Sequence, residues 1–172
     1  MREIGIGVLG FGTVGAGVVE GLFKNGDLIA GRSGIFPVVK KIADLDVQSD
    51  RGISLPADIL TTDAAAVIAD EEVDIVVELV GGTAIAKDLT ELALRLGKPV
   101  VTANKALLAD HGAELYALAD ERDTGIYYEA AVGGGIPVLR AQREGLIGNQ
   151  IESIFGILNG TCNYILTRME RE

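Results

Sequence analysis

Short apolar runs alternate with amphipathic segments along the chain as far as about residue 132. The apolar or β-prone runs lie at residues 4–10, 36–46, 73–80, 98–103 and 125–132. Segments with apolar residues at helical spacing lie between them, at residues 13–23, 61–70, 84–97 and 110–123. Residues 24–34 follow neither pattern, and we predict irregular structure there with at most one short helix. The pattern thus predicts five strands that alternate with four helices.

This alternation predicts an α/β fold, a doubly wound parallel sheet of the Rossmann type with helices on both faces. The run VDIVVELV at residues 73–80 is almost continuously apolar, which is typical of a strand that is covered on both faces. A chain of 172 residues is long enough for one domain with a sizeable core and part of another. We assign residues 1–132 to the Rossmann domain.

The pattern changes after residue 132. The segment GGGIPVLRAQREGL at residues 133–146 begins with three glycines and predicts a helix that has Pro137 near its start. Residues 150–172 predict a strand over residues 150–159, an Asn-Gly-Thr junction and the beginning of a helix. One strand and a helix cannot bury a core alone, so residues 133–172 are interpreted as the truncated start of a second, α+β domain.

Charge and composition exclude several classes of partner. The formal net charge of −10 argues against duplex nucleic acid, which is bound by clustered Lys and Arg. The uncharged stretch at residues 4–19 is 16 residues long, shorter than the roughly 18 of a membrane span. The opening MRE is a poor start for a secretory signal. A single cysteine excludes an internal disulfide and suits a reducing compartment, so we predict a cytoplasmic protein with no membrane partner.

A glycine-rich turn, VLGFGTVGAGVV, follows the first predicted strand and opens the first predicted helix. Its spacing is G-x-G-x-x-G, which in this context is the fingerprint of a dinucleotide site. Gly10 would form the tight turn, Gly12 would admit a pyrophosphate, and Gly15 would allow close packing of the helix. The N–H groups around Thr13 and Val14 would face phosphate oxygens. The alternative is a tight turn without a ligand, and the context favours the dinucleotide.

The second predicted strand ends in acidic residues. Asp44 and Asp46 stand at its end, and Lys40 and Lys41 come just before them. An acid at this place binds the adenosine ribose and favours NAD, whereas a basic side chain accommodates the 2′-phosphate of NADP. The distance from Gly15 exceeds the usual spacing of about 20 residues, which the segment after the first helix could explain. The acids favour NAD, and a solvated strand end is the alternative.

Two further segments contain residues suited to chemistry. In VVTANKALLA, Lys105 follows a strand at the edge where open α/β sheets bind ligands, so it could contact a cofactor or polarise a carbonyl. An ordinary surface lysine is the alternative. In YEAAVGGGIPVL, Glu129 precedes a glycine segment whose free carbonyls, with one carboxylate, suit a hard cation. A hinge between domains is the alternative there, and the residues alone favour it.

Five motifs in series resemble one family, homoserine dehydrogenase. They are GVLGFGTVGAGVV, VDIVVELVGG, GKPVVTANKALLA, YYEAAVGGGIPVL and GILNGTCNYILT, in that family's order and spacing. Only residues 24–60 lie outside the resemblance. It implies an NAD(P)-dependent oxidoreductase of threonine, methionine and isoleucine biosynthesis, in the form without a fused aspartate kinase. Its small-molecule substrates would be homoserine and aspartate 4-semialdehyde, and the enzyme would be a homodimer or a higher homo-oligomer.

The resemblance also implies roles for individual residues. The implied cofactor-binding residues are Gly10, Phe11, Gly12, Thr13, Val14, Gly15 and Lys105. Asp44 and Asp46, predicted as cofactor-binding from their place at the end of the second strand, complete the set. Lys105 would lie near the reacting end and is the candidate catalytic residue. The implied sodium or potassium site consists of Glu129 with the carbonyls of Val132, Gly134 and Ile136, which favours a cation over a hinge. Many relatives carry an arginine beside the aspartate, whereas this chain has acids, so NAD remains favoured over NADP.

The family's substrate-binding carboxylates and its main proton-donor lysine are expected beyond residue 172. We therefore expect this piece to bind a nicotinamide dinucleotide but to oxidise homoserine poorly or not at all. One alternative is a non-catalytic Rossmann sensor, which would not need the NGTCNYIL motif. Another is a different two-domain NAD(P) dehydrogenase, such as one acting on sugars, but the order Asn104-Lys105-Ala106 lacks that group's lysine-proline pair.

Overall fold

Six parallel strands form the sheet of the first unit, residues 1–127, in a computed structural model that describes residues 1–156 and 160–172. The strands are β1 (Arg2–Leu9), β2 (Ile35–Ala43), β3 (Leu60–Thr61), β4 (Ile75–Glu78), β5 (Val100–Thr102) and β6 (Ile126–Tyr127). Their order in the sheet is β3-β2-β1-β4-β5-β6. Strands β2 and β3 are added on one side of β1 and strands β4 to β6 on the other, so the strand order reverses between β1 and β4. The predicted doubly wound α/β fold is confirmed, but β3 was not predicted, so the sheet has six strands and not five.

Four helices connect these strands. They are α1 (Thr13–Ser33), α2 (Ala64–Ala69), α3 (Ala84–Arg95) and α4 (Lys105–Glu121). None of the helices in the described ranges has the length and apolar character needed to cross a membrane. All four predicted helices are present, but the bounds of each differ from the prediction, least in α3, which ends at Arg95 and not at residue 97.

The first helix is longer than the sequence predicts. The prediction of irregular structure at residues 24–34 was wrong, because α1 continues to Ser33 and ends at Gly34, whose φ is 76°. Gly26 is buried, and a Cβ there would lie 3.4 Å from the Phe36 ring. Packing of this face against β2 favours the helix although glycine lowers its intrinsic stability.

Two other helix starts also depart from prediction. The second helix is capped by Asp63, whose carboxylate accepts the Ala66 N–H at 2.9 Å, and not by Thr62. The fourth begins at Lys105 and not near residue 110, because the Asn104 side chain accepts the N–H of Leu107 at 3.0 Å. A capping side chain of this kind satisfies an N–H that the helix leaves unpaired.

The core lies in the middle of the sheet. Consecutive residues of β1 and β4, among them Val8, Leu9, Val76 and Val77, are buried. Burial of successive side chains means that both faces of these strands are covered, as the apolar run at residues 73–80 predicts.

The second unit, residues 128–172, is mostly helical where it is described. A 3-10 turn covers Glu129–Ala131, the short helix α5 (Val138–Arg140) continues as a π-helical turn over Ala141–Gly145, and α6 covers Gly160–Arg171. Residues 150–156 form no strand, so that prediction was wrong for them, and its remainder at residues 157–159 lies outside the described residues. A lone strand leaves its backbone groups unpaired and is unstable without neighbours.

The packing of Gly15 predicts a large difference between two glycine substitutions in α1. A Cβ at Gly15 would lie 2.0 Å from the Gly10 carbonyl oxygen, whereas a Cβ at Gly21 meets nothing within 4 Å. Gly15→Ala should lower the free energy of unfolding by about 2 kcal/mol through overpacking, measured by urea denaturation. Gly21→Ala should raise it by roughly 0.5–1 kcal/mol, because alanine favours the helix. Equal effects of the two substitutions would contradict the close approach of Gly15 to Gly10.

Candidate functional site

The turn between β1 and α1 depends on two of its glycines for steric reasons. Gly10 has a φ of +93°, and a Cβ on it would lie 2.5 Å from the Leu79 carbonyl oxygen. The Gly10 N–H donates to the Ala43 carbonyl at 2.8 Å, which fastens the turn to the end of β2. Gly15 packs against the Gly10 carbonyl, as described above. The first and third glycines of the motif thus allow the turn to close.

The middle glycine faces open space. A Cβ on Gly12 would meet nothing within 4 Å, and Gly12 is the N-cap residue of α1. Within the described part of the chain, no side chain caps this helix end. The Ala16 N–H donates to the Gly12 carbonyl at 2.8 Å. The N–H groups of Thr13 and Val14 come earlier in the chain, where a helix supplies no acceptor of its own. These N–H groups and the positive end of the helix dipole attract an anion.

A groove of about 360 Å³ runs beside this helix end. Its lining residues come from the first two turns of α1 and from the loop after β2; they are Gly12, Thr13, Ala16, Gly17, Glu20, Arg51, Gly52 and Ile53. The groove therefore joins the open helix end to the segment in which a dinucleotide-binding fold reads the adenosine ribose.

Asp44 holds the glycine turn in place. One carboxylate oxygen accepts the Phe11 N–H at 2.5 Å and the other accepts the Asp46 N–H at 2.8 Å. The first bond joins residues that are 33 apart in sequence. Asp44 was predicted to bind ribose, and in this structure both of its oxygens accept backbone N–H groups. Hydrogen bonds to a carboxylate are among the stronger ones in proteins.

Asp46 organises the loop that follows β2. Its carboxylate accepts the N–H groups of Gln48 at 3.1 Å and Ser49 at 3.0 Å, and it pairs with the Arg51 guanidinium at 3.0 Å. Hydrogen bonds from Ser49, together with the bond from Gln48 and the charge of Arg51, lower the pKa of Asp46. The carboxylate is therefore charged at neutral pH and compensates the charge of Arg51, which lines the groove.

The two lysines of β2 have partners away from the glycine turn. The Lys40 ammonium pairs with Glu72 at 3.2 Å, and the Lys41 ammonium donates to the Asp58 carbonyl at 3.0 Å. The basic group in the groove is thus Arg51, which the sequence pattern does not single out because it lies in an irregular loop.

Lys105 is exposed in the first turn of α4, beyond the carboxyl end of β5. Parallel strands place their carboxyl ends at one edge, so Lys105 and the glycine turn lie at the same edge of the sheet. The side chain of the preceding residue, Asn104, is held by hydrogen bonds to backbone groups of Gly82 and Leu107. The last residue of the neighbouring strand β4 is a buried carboxylate, Glu78, which pairs in the sheet with Thr102 of β5. Glu78 escapes sequence-based detection because it stands inside an apolar run.

The glycine segment of the second unit surrounds a carboxylate that is already hydrogen-bonded. The two oxygens of Glu129 accept the N–H groups of Leu139 and Arg140, each at 2.9 Å. Gly133 and Gly135 both have positive φ, 65° and 82°. In the described residues, no three or more His, Cys, Asp or Glu side chains are grouped to hold a metal.

Family models match both parts of the chain. The model described as homoserine dehydrogenase, NAD binding domain, matches residues 10–129, and the model described as homoserine dehydrogenase matches residues 137–172. Homoserine dehydrogenase of Bacillus subtilis is 45% identical over 172 residues, which is 100% of this chain and 40% of that protein. The Neisseria gonorrhoeae homoserine dehydrogenase is 44% identical over the whole chain and 39% of its own length.

Solved structures show the same relationship. A homoserine dehydrogenase from Thiobacillus denitrificans superimposes with a TM-score of 0.91 at 42% identity, covering 100% of this chain and 40% of that one. A hyperthermophilic archaeal homoserine dehydrogenase in complex with NADPH superimposes with a TM-score of 0.75 at 29% identity, covering 99% and 57%. The chain thus spans about 40% of the length of the curated relatives named above.

Proposed function

Because this chain belongs to the homoserine dehydrogenase family, we propose that residues 1–132 bind NAD(P) and that residues 133–172 begin a catalytic and dimerisation domain. The reaction that we propose is the interconversion of homoserine and aspartate 4-semialdehyde. The observation that carries the proposal is the open, uncapped N-terminus of α1 at Gly12. Family membership supports the assignment, and the NADPH complex of an archaeal relative supports the type of coenzyme.

The residues of the turn fit a diphosphate. The space above Gly12 is free of protein atoms, and the N–H groups of Thr13 and Val14 lie at the end of the helix where a negative charge is stabilised. The bond from Phe11 to Asp44 fixes the turn just before these residues and leaves their N–H groups available. The turn would thus hold the pyrophosphate through backbone N–H groups.

The coenzyme, when bound, transfers hydride between nicotinamide and the carbonyl carbon of the substrate. We propose that Lys105 contacts the coenzyme near this reacting end. Its exposed ammonium donates hydrogen bonds from a flexible stem, so it can stabilise negative charge that develops on the substrate oxygen. Asn104 fixes the backbone from which this side chain projects.

We propose a preference for NAD over NADP. A carboxylate after the second strand repels the 2′-phosphate of NADP, and Asp44 and Asp46 both lie there. Arg51 is the groove residue that could bind this phosphate, but its charge is compensated by Asp46 at 3.0 Å. The preference therefore depends on the pair between Arg51 and Asp46.

Binding of coenzyme tests this proposal. Isothermal titration of the 172-residue chain should show binding of both NADH and NADPH, with the lower Kd for NADH. Gly12→Val fills the open space, so it should raise the Kd of both NADH and NADPH by about tenfold or more. It should leave the unfolding midpoint nearly unchanged. Asp46→Asn should release Arg51 and shift the ratio of the two Kd values towards NADPH by about threefold to tenfold.

The matched control for these variants is Gly21→Ala, which lies in the same helix and has no neighbour to displace. Its Kd values should equal those of the unmodified chain. Absence of binding by the unmodified chain, or unchanged binding by Gly12→Val, would refute the assignment of the turn. An unchanged ratio in Asp46→Asn would refute only the role of the ion pair.

We also propose that the segment after β6 binds sodium or potassium. The residues would be Glu129 through its carboxylate, and Val132, Gly134 and Ile136 through their main-chain carbonyls. Each carboxylate oxygen of Glu129 accepts one N–H group and keeps a lone pair for a cation. Carbonyl oxygens suit hard cations. The Ile136 carbonyl also accepts the Val138 N–H at 2.8 Å, which leaves its second lone pair for a cation. The cation would order this segment.

Sodium-23 NMR tests the cation site. The chain should broaden the sodium signal, and an excess of potassium should reverse the broadening by displacement. The double variant Gly133→Ala, Gly135→Ala should lose most of the effect, because alanine is strained at the positive φ of both positions. Gly148→Ala, a glycine of the same unit with open space around it, is the control. Equal broadening by the double variant would contradict the site.

We further propose a homo-oligomeric enzyme in the cytoplasm. Several large apolar side chains of α6 are exposed, including Tyr164, Leu166 and Met169. Exposed apolar surface of this kind is what subunit and domain contacts bury. The single cysteine suits a reducing compartment.

A further inference from the structure

A buried carboxylate stands at the edge of the sheet where the coenzyme is proposed to bind. Glu78 is the last residue of β4 and is completely inaccessible to solvent. In the ladder it lies opposite Leu9 of β1 and Thr102 of β5. Removing a carboxylate from water is costly unless hydrogen bonds replace the lost hydration. An apolar side chain could fill this space without that cost, so the partners of Glu78 indicate what it contributes.

The two oxygens of Glu78 bind two different segments. One accepts the Val80 N–H at 2.9 Å, and the other accepts the Thr102 hydroxyl at 2.6 Å. The first bond fixes the loop that leaves β4, and the second fixes the end of β5. Both donors need an acceptor at the same point, which a carboxylate supplies and an apolar residue does not.

The hydrogen bonds continue from Thr102 to the residue before Lys105. The Thr102 hydroxyl oxygen accepts the Asn104 N–H at 2.9 Å. The Asn104 amide donates to the Gly82 carbonyl at 2.7 Å, back on the loop that follows β4. A closed ring of bonds therefore joins Glu78 and Val80 at one side to Thr102 and Asn104 at the other. We call it the Glu78 ring.

The topology places the Glu78 ring on one half of the proposed coenzyme site. Dinucleotides bind across the point at which strand order reverses, which here lies between β1 and β4. The adenosine half belongs on the side of β2, where Asp44 and the groove lie. The nicotinamide half therefore belongs on the side of β4 and β5, where the Glu78 ring joins the two loops.

We propose that Glu78 is a positioning residue for the nicotinamide half of the coenzyme. It holds the loop at residues 80–82 and the turn at Asn104 and Lys105 at a fixed separation, and it touches neither coenzyme nor substrate. This inference rests on the proposed function, since it presupposes a dinucleotide at this edge of the sheet. It assigns Glu78 a role in binding beyond a contribution to folding.

The substitution Thr102→Val tests the ring with almost no change of volume, because valine has the shape of threonine without its hydroxyl. It removes both the donor to Glu78 and the acceptor of the Asn104 N–H. Glu78→Met removes both acceptor oxygens from the other side of the ring. Thr102→Ser, which keeps the hydroxyl, is the matched control.

Two ligands distinguish a positioning role of Glu78 from a contribution to folding alone. They are NADH and ADP-ribose, which lacks the nicotinamide. In titrations of the 172-residue chain, Glu78→Met and Thr102→Val should raise the Kd of NADH by about tenfold, since small displacements of binding groups have effects of this size. The Kd of ADP-ribose should change less than about twofold, because the adenosine half is held by other residues. Thr102→Ser should bind both ligands like the unmodified chain.

Each result has a defined meaning. The role of Glu78 would be overturned if a folded variant bound NADH and ADP-ribose with equally weakened affinity, or bound both with unchanged affinity. Either result would leave the proposed function intact. Failure of the unmodified chain to bind either ligand would overturn the proposed function and this inference with it. If Glu78→Met does not fold, as judged by circular dichroism, the comparison of Thr102→Val with Thr102→Ser decides the question by the same criteria.

Discussion

The hydrogen bond from the Phe11 N–H to the Asp44 carboxylate is the interaction on which the site depends. Together with the bond from Gly10 to Ala43, it fastens the glycine turn to the end of β2. The turn is thereby held by its first residues, and the N–H groups of the next ones remain at the open end of α1. An anion bound there meets donors that are already oriented, so less entropy is lost on binding.

The reversal of strand order divides the proposed site into two halves with different supports. On the side of β2, Asp44 and the loop containing Asp46 and Arg51 shape the groove. On the side of β4 and β5, the Glu78 ring joins the loops that lead to Lys105. Both supports use carboxylates that accept backbone N–H groups, which makes them parts of the scaffold and leaves ligand contacts to the backbone and to Lys105.

Local patterns in the sequence predict the alternation of strands and helices and the glycine turn. The spacing of apolar residues and the residue types of a turn are set by residues close together in the sequence. They do not predict features that depend on tertiary contacts. The helix α1 persists beyond residue 23 because Gly26 packs on Phe36, and no propensity indicates that contact. The bond between Asp44 and Phe11 joins residues 33 apart, and Glu78 is concealed in an apolar run. The roles of these two acids become visible only in the folded chain.

Amide chemical shifts in a titration with NADH report directly on whether the glycine turn binds the diphosphate. The largest changes should occur at Gly12, Thr13 and Val14, where the diphosphate accepts their N–H groups. The Phe11 amide should stay protected from hydrogen exchange with and without coenzyme, since its bond to Asp44 is part of the scaffold. Unchanged shifts at these three residues, or a Phe11 amide that exchanges freely until coenzyme is added, would contradict this role of the turn.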